Sequence, residues 1–131
     1  MDSCALLYRD ISRTISKGYV GPEAKRQIAE IFENEAFNSE EKARKVFERV
    51  VNERIRLLTP PVAAEIRKLL EQNVQRTYYS EGKHFFGKFY RNKEEGNNSG
   101  QDMVKLVIPQ NFRGTIIEYA LLTHELEHGI Q

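Results

Sequence analysis

The chain has a single cysteine, Cys4, and no tryptophan. One thiol can close no internal disulfide, and Cys4 has no Cys-x-x-Cys neighbour, so a reducing, intracellular setting is expected. Long apolar runs are missing as well. No stretch approaches the roughly 18 uninterrupted apolar residues that a membrane-spanning helix needs. The opening "MDSCALLYRD" has an acidic second residue and only a three-residue apolar run, and so lacks the basic start and long apolar middle of a signal peptide. Charge of one sign is also lacking. The 20 Lys and Arg nearly balance the 19 Asp and Glu, for a formal net charge of +1 and a pI near 7.8. No field arises that argues for nucleic acid, anionic lipid or acidic substrates. The expectation is a cytoplasmic protein without membrane or nucleic-acid partners, whose function must be argued from a site.

At 131 residues the chain suits one domain with one core, and its periodicity divides it into two parts. Over residues 3–17, Cys4, Leu7, Tyr8, Ile11 and Ile15 recur at helical spacing, with Ser3 as N-cap and Gly18 as stop. Gly21-Pro22 opens a second helix with Ala24, Ile28, Ile31 and Phe32 as its stripe. After Asn38 and Ser39, "EEKARKVFERVVNERIRLL" sets Ala43, Val46, Phe47, Val50, Val51 and Ile55 on one face of a third. Thr59-Pro60 caps and starts a fourth, with Val62, Ile66, Leu69, Leu70 and Val74 inward. The helical part thus covers about 3–76, and the remainder about 77–131. In that remainder "TYYSEGKHFFGKFYRN" and "MVKLVIPQ" read as strands on either side of the polar, glycine-rich "KEEGNNSGQD", and Pro109 ends the second. The expected fold is α+β: about four N-terminal helices, a small antiparallel sheet and a last helix.

The last helix carries the chemistry. Gly114-Thr115 followed by Glu118 has the spacing of a capping box, in which the Thr115 hydroxyl and the Glu118 carboxylate each satisfy an orphan amide. At about 100° per residue, Ile117, Leu121, His124, His128 and Gln131 share one stripe, while Tyr119, Leu122, Leu126 and Ile130 lie roughly opposite. A helix apolar on both sides is a buried one. His124 and His128 in "THELEHGIQ" are one turn apart, so both rings can converge on one ion at about 2.0–2.1 Å. Glu125 is turned about 100° from His124, which places its carboxylate beside the ion rather than on it. That is the position of a general base that takes a proton from water made acidic by the metal and passes it to the leaving amine.

Through His124, Glu125 and His128 the chain resembles the zincin metallopeptidases, which share the His-Glu-x-x-His pattern. The resemblance covers about the last 30 residues, and "HELEHGIQ" also looks like the endings of many short zincin-like domains. It implies that His124 and His128 are zinc ligands, that Glu125 is the catalytic base and that the substrate is a peptide or protein. It also implies that the motif helix packs on a sheet whose antiparallel edge strand binds substrate backbone, and "MVKLVIPQ" is the candidate for that strand. The third zincin ligand follows the motif, as a Glu on a later helix or, in metzincins, a His after a Gly. Position 131 is Gln where metzincins have Gly, which disfavours that branch. Peptide deformylases take an upstream Cys in a Gly-Cys-Leu context, which Cys4 lacks. The expectation is a fragment of a longer zincin-like protein, in which a missing C-terminal segment or a second chain completes the site, and which binds zinc weakly or not at all in this form.

The alternative is a non-enzymatic helical interaction module with an accidental or decayed motif, in which the two histidines are satisfied side chains and Glu125 a surface charge. Glu127 lies to the other side of the histidine stripe and reads as a solvated charge. "KHFFGKFYRNK" interleaves basic and aromatic residues as single-strand nucleic-acid platforms do, but strands with aromatics inward and lysines outward look the same. His84, isolated in that strand, reads as structural, as does Cys4 in its helix.

Overall fold

A computed structural model describes residues 39–80, 82, 85–91 and 101–130. The two expected N-terminal helices, Cys4, His84 and Gln131 lie outside the described residues. Within them, helices α1 (Glu40–Arg56) and α2 (Pro60–Gln72) are followed by strands β1 (Val74–Tyr79), β2 (Phe86–Tyr90) and β3 (Met103–Pro109), a short 3-10 turn at Gln110–Phe112, and helix α3 (Ile116–Ile130). The arrangement is α+β.

Both early helices form where their stripes direct, though Thr59, at the N-cap position before Pro60, makes no side-chain cap hydrogen bond. Ser39 caps α1 by accepting from the Lys42 N–H, Glu40 and Glu41 occupy the first turn, and Arg54 and Arg56 the last, each on the favourable side of the dipole. Ala43, Val46, Phe47, Val51 and Ile55 are buried. Helix α2 starts at Pro60 and buries Ala63, Ile66 and Leu69. It ends at Gln72, two residues before the last member of its expected stripe, with the Asn73 N–H bonded back to Leu69. Val74 is therefore not an inward helix residue but the first residue of β1, where it pairs with Val104. β-branched and aromatic residues from Val74 onward favour the strand once a partner is present.

The sheet is mixed rather than antiparallel. Its order is β1-β3-β2, with β1 parallel and β2 antiparallel to β3. "MVKLVIPQ" is thus the central strand, not the edge. The reason lies in its composition: Val104, Leu106 and Ile108 alternate onto the helix-covered face and are fully buried, and the most apolar strand gains most from having neighbours on both sides. β1 exposes Gln75, Arg76 and Thr77, and β2 exposes Phe86 and Lys88, so these two take the edges.

Helix α3 packs against α1, β2 and β3, while α2 covers β1. Ile116, Ile117, Ala120, Leu121, Leu122 and Leu126 join Phe112 and the strand residues in one core, as expected of a helix apolar on both sides. The capping box does not form. Thr115 instead donates its hydroxyl to the Phe112 carbonyl (2.7 Å) and its N–H to the same oxygen (3.1 Å). Glu118 turns to the sheet, where its Oε2 lies 3.4 Å from Arg76 Nε and its carboxylate faces the Tyr78 hydroxyl. The turn before α3 is closed by Gly114 at φ +73°, in the left-handed region that favours glycine.

Candidate metal centre

His124, Glu125 and His128 converge beside β2, the outer strand of the sheet among the described residues, as the motif spacing predicts. Their ligand atoms all lie within 4.8 Å of one another, the only such group of three among the described residues. The two Nε2 atoms are 3.3 Å apart with the rings edge to face. That separation is within reach of a long hydrogen bond from one ring nitrogen to the other. It matches the roughly 3.3–3.4 Å edge of a tetrahedron whose nitrogens stand about 2.0–2.1 Å from a central ion. Two imidazoles at this spacing with a carboxylate beside them are a group that could hold a metal ion.

Burial grades the three residues. Glu125 is 5% exposed, His124 half-buried and His128 exposed, so the group forms one wall of an open groove of about 460 Å³ lined also by Gly87, Lys88, Phe89 and Arg91. Burial, assisted by the neighbouring His128, holds the His124 pKa below the ordinary imidazole value. The neutral ring, which offers a lone pair to a metal, is favoured. Burial also raises the Glu125 pKa, against the opposing pull of His128 and of the Phe89 backbone N–H that donates to its carboxylate. Glu125 Oε1 stands 3.8 Å from His124 Nε2, beside the histidine pair.

Two glycines bring the helix this close to the strand. A Cβ on Gly87 would meet Glu125 Cγ at 2.9 Å and Oε1 at 3.1 Å, and one on Gly129 would meet the Phe89 ring at 2.6 Å. Gly87 thus leaves the room that the Glu125 side chain fills, and Gly129 leaves the room for the Phe89 ring. Sequence reasoning did not assign Gly87, Phe89, Arg91 or Gly129 to the site. The available signal was a glycine inside an aromatic strand, which marks a close approach. Arg91 stacks on Phe89, with its guanidinium carbon 5.4 Å from the ring centre, and donates from Nη2 to the His128 carbonyl at 3.0 Å.

Glu127 faces away from the histidines, as expected, but it is not a purely solvated charge. It accepts from Arg54 through both oxygens, at 2.8 and 3.3 Å, tying α3 to α1. In the described part of "KHFFGKFYRNK" Phe89 is buried while Phe86 and Lys88 are exposed, so not every aromatic of the strand turns inward as expected. No helix among the described residues is long and apolar enough to cross a membrane. In comparison with known proteins, no family model, no curated protein and no solved structure matches the chain.

Proposed function

We propose that this chain is a zinc-dependent metallohydrolase domain of the zincin type, acting on peptide bonds. The observation that carries the reading is the 3.3 Å separation of the two imidazole nitrogens with a buried carboxylate set beside them. His124 and His128 would hold the ion. When bound, zinc acidifies water and polarises the scissile carbonyl. Glu125 receives the proton of the attacking water and returns it to the departing amine, and the Phe89 N–H keeps its carboxylate in place for both transfers.

Substrate backbone would lie along β2 rather than β3. Hydrogen-bonding directions alternate along a strand. Since the Phe89 N–H points to Glu125 and not to β3, Gly87 directs its own backbone groups to the same open side. A catalytic zinc site takes three protein ligands. The third would come from outside the described residues or from a second chain.

Glu125→Gln tests the assignment. In the completed site it is expected to retain zinc and to abolish hydrolysis of an unfolded protein substrate. Retained hydrolysis would refute the role given to Glu125.

A further inference from the structure

We infer that Arg91 is a positioning residue for the second imidazole, holding the last turn of α3 so that His128 keeps its distance from His124. The inference rests on the metal-site reading above. Helix α3 is described over Ile116–Ile130, and Arg91 holds the turn that carries His128 at three levels. Its backbone directly follows β2, its guanidinium lies over the Phe89 ring, and its Nη2 reaches the His128 carbonyl at 3.0 Å. Phe89 is itself fixed, 9% exposed and packed on Gly129 of the same helical turn. The strand that flanks the site therefore grips the helix that carries it, next to a ligand.

The sign of the effect separates this role from a purely electrostatic one. Arg91 is a cation lining the same groove as the histidines, so by charge alone its removal strengthens the binding of a divalent ion. Positioning predicts the opposite. Outer-shell groups that orient a ligand are typically worth about 10–100-fold in metal affinity.

The experiment is a cobalt(II) titration followed by visible absorption on the full chain, comparing wild type, Arg91→Ala and Arg91→Lys. Arg56→Ala serves as a control, since that side chain is 71% exposed and pairs on the surface of α1 with Glu53. Amide hydrogen exchange across residues 126–130 is measured on the same proteins without metal. The expected result is that Arg91→Ala binds cobalt at least about tenfold more weakly and exchanges its last turn faster, and that Arg91→Lys, which keeps reach and a donor, restores both. Equal or tighter cobalt binding by Arg91→Ala, or unchanged exchange, overturns the inference. If wild type binds no cobalt, the metal reading fails by itself, and the exchange comparison still decides whether Arg91 holds the turn.

Discussion

At the scale of single residues, the site depends on an absent side chain. Gly87 faces Glu125 so closely that a methyl group there and the glutamate in its present rotamer exclude each other. Gly87→Ala is therefore expected to displace the carboxylate rather than the strand, since a glutamate at a groove wall can turn outward. The stability loss should sit at the low end of the roughly 1–3 kcal/mol of overpacking, and hydrolysis in the completed site should fall far more than stability does. Thermal unfolding and peptide hydrolysis measured on one sample check this, and full hydrolysis with an intact melting profile would contradict it. The three motif residues were legible in the sequence because two histidines one turn apart, with a glutamate after the first, are a local pattern on a helix. Gly87, Phe89 and Arg91 were not, because their roles depend on which strand the helix meets, and that is a tertiary fact.

Between elements, the decisive contact is α3 on β2, made through Phe89 and Gly129. Gly129→Ala sets two effects against each other. Alanine is better than glycine in a helix by about 1 kcal/mol, but its Cβ would stand 2.6 Å from the Phe89 ring. The ring is buried and has Arg91 stacked on it, so it has little room to yield, and the overpacking cost of about 1–3 kcal/mol should win. Calorimetric unfolding is expected to show a net loss of stability; a gain would mean that helix and strand are less closely packed. Helices α1 and α2 could be read from periodicity and caps, since their stripes and starts are local properties. The sheet could not. Strand composition signals that "MVKLVIPQ" is apolar but not that it inserts between the other two, and the early end of α2 is decided by the pairing of Val74 with Val104.

For the whole molecule, the N-terminal end of α3 is joined to β1 through Glu118, Arg76 and Tyr78. Burial and the Glu118 carboxylate push the Tyr78 pKa up to about 12. The folded state thus holds this proton more tightly than the unfolded chain, whose tyrosines titrate near 10. The stabilisation is complete below pH 10 and is lost as pH rises through about 12. Denaturant unfolding across that window should show a fall in stability that Tyr78→Phe reduces; an identical fall in the variant would place the alkaline sensitivity elsewhere. The α+β class was legible from the change of period along the chain, and the motif helix from its two apolar sides. The partner of Glu118 was not, because a capping box and a buried pair share the same local sequence.

The central claim is that His124 and His128 hold a metal ion with Glu125 beside it. Zinc titration by calorimetry on the 131-residue chain tests it most directly. The account predicts one ion per chain, bound more weakly than by a site with three protein ligands. Binding should be lost in His124→Ala and His128→Ala and kept in Glu125→Gln. Zinc binding that survives either histidine substitution, or no binding by the wild-type chain, would contradict it.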